Sequence, residues 1–271
     1  MSDETRVTMP RAGASHPEYL DYFSEQSESY AAYRPGYPDD LFRFLASLVH
    51  CHRIAWDAGT GNGQAARGLA RHFDQVIATD ASERQLAASQ PHPNVTYRQA
   101  IAGRTSLPDG SVDLATVAQA LHWFDRDAYF TETVRVVRPG GVIAVWGYTW
   151  TRISPDLDAI LARFADETLA EWWTPERRLV DTEYREITLP FPALATPVFT
   201  MREKWTLDQF LGYVGTWSAV RRYRVETGED PIPSLGSRLR EAWKEPESPR
   251  PLSWPIFLLA CRVPPNRQRT D

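Results

Sequence analysis

Five short apolar runs alternate with helix-patterned stretches between residues 53 and 146, and this alternation leaves few architectures open to the chain. The runs are Ile54 to Trp56, Val76 to Thr79, Val95 to Arg98, Val112 to Val117 and Val142 to Trp146. Between them lie the helical stretches Gln64 to His72, Glu83 to Ser89 and Ala128 to Val137. Strands joined by helical crossovers pair in parallel, and the twist of the sheet gives those crossovers a single hand. The pattern predicts an α/β fold with a doubly wound, mostly parallel sheet.

At 271 residues the chain exceeds one such core and leaves room for additions on either side. Residues 1–14 read as a flexible tail. Pro17 opens a helix running to about Tyr33, because proline suits a helix's first turn. Arg34-Pro35-Gly36-Tyr37-Pro38 breaks it, and a second helix carries Leu41, Phe42, Leu45, Leu48 and Val49. Residues 15–50 are thus N-terminal lid helices before a ligand-binding core at 51–150. Beyond Trp150 the alternation stops. Helical stretches Leu157 to Trp173, Leu207 to Val225 and Leu235 to Trp243 are interleaved with strands Phe199 to Trp205 and Pro255 to Val263. Residues 151–263 therefore read as a helical C-terminal cap plus the last sheet strands, and 264–271 as a second tail.

Composition removes several function classes. A hydrophobic share of 42% with 24% charged residues supports an ordinary core without disulfides or metals. A formal charge of -5 and the lack of a basic stripe argue against nucleic acid as a partner. The two cysteines, Cys51 and Cys261, have no partners at metal spacing. His50, Cys51 and His52 are adjacent and diverge in direction, which suits a helix end better than a metal. The longest apolar run, Ile256 to Cys261, cannot span a bilayer. The expectation is a soluble, cytoplasmic monomer or homodimer with no membrane partner and no metal. Ten tryptophans suggest an aromatic cavity, or else large side chains doing ordinary packing.

The run Ile54-Ala55-Trp56-Asp57-Ala58-Gly59-Thr60-Gly61-Asn62-Gly63 is a strand, an acid and a glycine turn leading into a helix. Such turns let a ligand approach the backbone. Dinucleotide loops place their third glycine one position later, where this chain has Gln64. Asp57, two residues before Gly59, would repel a pyrophosphate and attract an ammonium. Asp80 ends the second strand, at a spacing where a carboxylate accepts both ribose hydroxyls. Gly59, Gly61 and Gly63 for close approach, with one acid for an amino group and another for a diol, describe an aminoacyl nucleoside better than a diphosphate.

Further motifs follow in order: Leu107-Pro108-Asp109-Gly110-Ser111-Val112-Asp113, then Ala118-Gln119-Ala120-Leu121-His122-Trp123-Phe124, then Arg138-Pro139-Gly140-Gly141-Val142. With the glycine loop and Asp80, this set resembles the class I S-adenosylmethionine-dependent methyltransferases, particularly the methyltransferase type 11 group. The resemblance implies a seven-stranded Rossmann-like sheet with S-adenosyl-L-methionine as cofactor. Tyr30-Ala31-Ala32-Tyr33-Arg34-Pro35 and Gly212-Tyr213-Val214-Gly215-Thr216-Trp217-Ser218-Ala219 extend it toward small-molecule members related to trans-aconitate methyltransferase. It implies that Tyr30 and Arg34 reach the cofactor's methionine carboxylate, and that Ala81, Ala102 and Gln119 join the cofactor set. Where such proteins often carry an acid after the alanine, this chain has Gly103.

Methyl transfer from a sulfonium is an in-line displacement that needs alignment and exclusion of water. A carboxylate acceptor needs no base, whereas a hydroxyl or protonated amine must lose a proton. His122 is the candidate catalytic base, with packing on adenosine as its other role. Trp123, Tyr148 and Trp217 are candidates for the acceptor pocket, as is Trp172. On the stretch Leu207 to Val225, Arg221 falls within the apolar stripe of Leu207, Phe210, Leu211, Val214, Ser218 and Val225. It either pairs with an anionic substrate or snorkels to water. The expected function is methyl transfer to a small molecule, a carboxylic acid being one acceptor class. An NAD(P)-dependent oxidoreductase and a non-catalytic S-adenosylmethionine-binding protein are the alternatives.

Overall fold

The computed structural model describes residues 34–265. The expected N-terminal tail and first lid helix, Tyr30 included, lie outside the described residues. Seven strands form one sheet: β1 (Ile54–Ala58), β2 (Gln75–Asp80), β3 (Val95–Gln99), β4 (Val112–Ala118), β5 (Val137–Tyr148), β6 (Phe199–Trp205) and β7 (Arg250–Arg262). Their order is β3-β2-β1-β4-β5-β7-β6. The pairs from β3 to β5 are parallel, and β7 runs antiparallel to both β5 and β6. The doubly wound, mostly parallel sheet expected from the strand and helix alternation is thus observed. Strand order reverses between β1 and β4, and in open α/β sheets the crevice at the carboxyl ends of such a pair receives ligands.

Crossover helices and cap helices cover the two faces. The helices are α1 (Asp39–Ser47), α2 (Gln64–Leu69), α3 (Glu83–Ala87), α4 (Arg126–Val136), α5 (Pro155–Arg163), α6 (Arg177–Asp181), α7 (Leu207–Gly215), α8 (Ser218–Thr227) and α9 (Ile232–Trp243). Successive strand residues point to opposite faces. Val142, Ala144, Trp146 and Tyr148 enter one core, with α1, α2 and the cap helices, while Ile143 and Val145 enter the other, with Tyr129 and Val136 of α4. The ring of Trp146, wholly buried, meets Tyr37 edge-on at 5.6 Å. Across the cap, Trp254 Nε1 donates to the Tyr213 hydroxyl at 3.0 Å, so this buried indole carries its polar atom satisfied.

Two of the sequence motifs turn out to hold the sheet together. Asp113, at the start of β4, accepts the backbone N–H groups of Arg53 and Ile54 at 2.9 and 2.8 Å. Its carboxylate also lies 2.8 Å from the Arg138 guanidinium. One nearly buried acid therefore pins the entries of β1, β4 and β5, which accounts for an Asp and an Arg in those motifs without any contact to a ligand.

The cap departs from expectation in three places. The stretch Leu207 to Val225 is two helices, α7 and α8, separated at Thr216 and Trp217, and Val225 is exposed. Hence the apolar stripe through Arg221 is not a single helix face. The stretch Leu157 to Trp173 is helical only to Arg163, beyond which wider and tighter turns follow at Phe164–Thr168 and Ala170–Trp172. Finally, β7 begins at Arg250 and takes in Pro251 and Pro255. The Pro255 carbonyl accepts from Thr149, just past the end of β5. The N–H groups the prolines lack would point to that side, where the segment after β5 pairs only through Thr149 and Arg152, so the ladder to β6 is undisturbed. Among the described residues no helix is long and apolar enough to cross a membrane.

Candidate functional site

The glycine turn closes over the carboxyl end of β1. Gly59 and Gly63 adopt φ of +64° and +81°, a region that side chains with a Cβ avoid. Space is short as well: a Cβ on Gly59 would sit 2.8 Å from the Phe124 ring, and one on Gly63 would run into the Tyr97 hydroxyl. The turn is packed from β3 on one side and from the segment after β4 on the other. Gly61 also has positive φ, but a Cβ there would meet only Gln85, at 3.9 Å.

Asp57 lies beneath the turn, wholly buried. Its carboxylate accepts from the hydroxyls of Thr60 (2.6 Å) and Thr116 (2.9 Å). Burial raises its pKa to about 6, against the lowering effect of those hydroxyls and of the Ala66 N–H in α2. Asp57 thus braces the turn against the first turn of α2, where a negative charge is favoured. Asp80 is placed differently, at the mouth of the loop. It accepts from Gly61 N–H at 2.8 Å and Ser82 N–H at 2.9 Å, one on each oxygen, leaving each with further lone-pair capacity. Burial also pushes its pKa up, opposed by these N–H donors. Ala81 follows it, its carbonyl accepting from Gln99.

Beyond β3, Ala102 is half-buried in a short turn closed by the Ile101–Arg104 bridge, and it packs on the apolar core around β1 and β4. The acid missing at Gly103 has a packing reason: a Cβ there would lie 2.7 Å from that of Ala128. Close contact with α4 therefore occupies the space a longer side chain would use.

Next to the loop, past the ends of β4 and β5, is a cavity of about 80 Å³. It gathers Arg34, Gln119, His122, Trp123, Tyr148, Trp217 and Arg221, candidates spread over nearly 190 positions of sequence. Arg34 donates to the Tyr148 hydroxyl, and its ring contact with Tyr213 is 5.4 Å. Gln119 holds φ of +53°, strained for a residue with a Cβ, and its side-chain oxygen accepts the Tyr148 N–H at 2.9 Å. This side chain extends the β4 and β5 pairing by one rung beside the cavity. Trp123 stacks obliquely on His122, 4.8 Å between ring centres.

His122 is buried, and its Nδ1 is 2.8 Å from the Tyr184 hydroxyl. Desolvation, and then the Arg177 charge, lower its pKa to about 3. The imidazole is neutral throughout the physiological range and a weak base. This geometry does not favour the catalytic-base reading.

Sequence inspection missed part of the cavity wall. Trp150, Trp173 and Tyr213 join Trp123 and Trp217 in lining it. Trp172 does not; it packs on Tyr223 while its neighbour Trp173 turns inward. Arg177 also escaped notice. Its guanidinium lies 4.7 Å from the Trp150 ring and 5.0 Å from the Trp173 ring, and its Nε donates to Asp181 at 2.9 Å. No periodicity marks that arginine, because α6 is too short to show a face. Among the described residues no cluster of three or more metal-ligating side chains occurs.

A nucleoside loop beside a small, aromatic, cationic cavity on this sheet order defines an α/β enzyme acting on a nucleoside-bearing cofactor. The residues fit S-adenosylmethionine: Asp80 retains acceptor capacity for a diol, Gly61 leaves space at the backbone, and Arg34 stands in the adjoining cavity. Comparison with known proteins gives the class. The methyltransferase domain family matches residues 56–145. A Dictyostelium discoideum protein named as a methyltransferase is 32% identical over 254 residues, covering 90% of this chain and 96% of its own length. The solved structure of a protein named as a type II methyltransferase, from Anaeromyxobacter dehalogenans, is 45% identical with a TM-score of 0.81, covering 86% of this chain and 99% of that one. A methyltransferase-fold protein from an antibiotic biosynthesis pathway of Anabaena variabilis shares the fold at 16% identity and a TM-score of 0.51, covering 83% and 98%. The chain belongs to the class I S-adenosylmethionine-dependent methyltransferases, and S-adenosylmethionine is its cofactor.

Proposed function

We propose that the enzyme methylates an oxygen of a small, flat organic acid. The observation that carries this reading is Arg177, whose guanidinium sits against both the Trp150 and Trp173 rings, which meet edge to face, in a cavity that Trp123, Tyr213 and Trp217 also line. Cation–π contact with the two rings holds the guanidinium in place, and its planar fork suits a carboxylate in two-pronged contact. Indole walls suit a conjugated or aromatic body.

Bound S-adenosylmethionine supplies an electrophilic methyl group on a sulfonium. Asp80 and the backbone of the glycine turn hold its nucleoside part. Arg34 and Gln119 lie toward the methionine part, with Tyr30 assigned there by the family resemblance. Asp57 acts beneath the turn. Trp123 and Trp217 exclude water from the reacting atoms, while Arg177 and Arg221 orient the acid. An ionised carboxylate attacks without losing a proton, which agrees with the absence of a strong base at His122.

Titration calorimetry with S-adenosylmethionine, S-adenosylhomocysteine and NADH tests the donor. A methyl-transfer screen that sets aromatic and unsaturated carboxylic acids against the matching phenols and amines then tests the acceptor. Selective binding of the first two ligands and methyl esters from the acids are expected. Transfer only to phenols or amines would overturn the acceptor assignment.

A further inference from the structure

The proposed acceptor chemistry leaves His122 without a proton to remove, yet its ring is held by a residue the chain bends sharply to deliver. Tyr184 is wholly buried, and both it and Glu183 adopt positive φ, +56° and +54°. Two consecutive side-chain-bearing residues in the left-handed region cost roughly 1 kcal/mol or more each, and such strain persists where the surrounding structure demands it. The turn after α6 is fastened by Glu183 N–H to Val180 and Tyr184 N–H to Leu179. Phe257 of β7 packs edge-on against the Tyr184 ring at 5.0 Å. The phenol is thereby fixed with its oxygen 2.8 Å from His122 Nδ1.

The direction of that hydrogen bond follows from what else surrounds the phenol oxygen. Among the described residues that oxygen, wholly buried, has one hydrogen-bond partner, His122 Nδ1. A buried hydroxyl proton left without an acceptor is costly, and donation to Nδ1 is what satisfies it, so Nδ1 is the acceptor. A neutral imidazole that accepts at Nδ1 carries its hydrogen on Nε2. His122 lines the cavity, and among the described residues Nε2 has no protein partner and is not sealed from the surface.

We propose that Tyr184 is a positioning residue that locks His122 as its Nε2–H tautomer, so that the histidine offers the acceptor a hydrogen-bond donor and no lone pair. The charged groups around the pair are Arg177, tied to Asp181, and Arg126, which faces Tyr184. With Arg177, the Nε2–H forms a donor wall that receives an oxygen already deprotonated and turns away an ammonium or a hydroxyl proton. This specificity role rests on the acceptor reading above.

The test is nitrogen NMR of the whole protein carrying labelled histidine, with His122 assigned through bonds. Between about pH 5 and about pH 8, Nε2 should show the protonated, pyrrole-type signal and Nδ1 the unprotonated, pyridine-type one. In Tyr184→Phe the two signals should move toward a tautomer mixture, with S-adenosylhomocysteine affinity unchanged. Once an acceptor acid is in hand, this variant should raise its KM roughly fivefold, the scale of one neutral hydrogen bond, with a smaller change in kcat. A wild-type Nδ1–H tautomer would overturn the proposal, as would an Nε2–H tautomer that persists unaltered in Tyr184→Phe. The tautomer is read without any acceptor. A wrong tautomer would thus refute this inference alone, while a failed acid screen would refute the acceptor assignment alone.

Discussion

Replacing His122 by phenylalanine should flatten the acid side of the stability curve. In the folded protein the His122 pKa is lowered from 6.5 to about 3, chiefly by burial. Above pH 6.5 neither the folded nor the unfolded chain protonates it, so its neutral burial costs nothing there. As pH falls through that value the unfolded chain binds a proton that the folded one refuses, and stability drops by about 1.4 kcal/mol per pH unit. Between about pH 7 and about pH 4.5 the loss amounts to ~3 kcal/mol. Asp57 works in the opposite sense. Its folded pKa is raised to about 6, so its contribution is fully present below 3.8 and disappears as pH rises through about 6. Wild type and variant share Asp57, and it cancels in their difference. The variant also forfeits the Tyr184 contact, about 1 kcal/mol, but that shifts its curve without changing the slope. Urea unfolding followed by tryptophan fluorescence across this pH range reads the difference. Parallel curves for wild type and His122→Phe would refute the burial argument.

Four other expectations concern separate parts of the molecule. Asp80→Ala removes the acceptor at the loop mouth and frees Gly61 N–H, so calorimetric S-adenosylmethionine affinity should fall at least about tenfold, the scale of a charge-assisted hydrogen bond; undiminished affinity would remove Asp80 from the cofactor site. Arg177→Met keeps the stack on Trp150 and Trp173 partly filled but removes the charge, so the KM for an acid acceptor should rise by roughly tenfold or more while cofactor binding holds. Asp113→Ala leaves Arg138 unpaired and the Arg53 and Ile54 N–H groups orphaned, and thermal or urea unfolding should show a loss of ~3 kcal/mol. Gly59→Ala combines a left-handed backbone with a collision at Phe124; a cost of about 2 kcal/mol is expected, and unchanged unfolding would show that Phe124 yields freely.

The glycine turn illustrates what could be read in advance and what could not. Its three glycines announce a tight approach, and all three do take positive φ. Sequence spacing put Asp57 near a ligand ammonium, whereas the fold directs its carboxyl into Thr60, Thr116 and the start of α2. A side chain at a strand's end can lean toward solvent or toward the next helix, and spacing does not distinguish the two. Gly103 is the converse case, an apparent gap in the motif that is filled by contact with Ala128.

What the sequence by itself determined was everything governed by local period and local backbone preference. Strand and helix alternation fixed the sheet class, and the glycines and prolines fixed the turns, because those preferences act within a few residues. Only the tertiary structure decided the acceptor cavity. Trp150 follows a strand, Trp173 precedes and Arg177 opens a helix of barely more than one turn, and Tyr213 lies in the last turn of a helix while Trp217 sits in the break after it. No periodicity links them; the cap brings them together by packing on the ends of β4 and β5. The Tyr184 and His122 pair, 62 positions apart, belongs to the same category, since its partners meet through folding of the cap and not through any pattern along the chain.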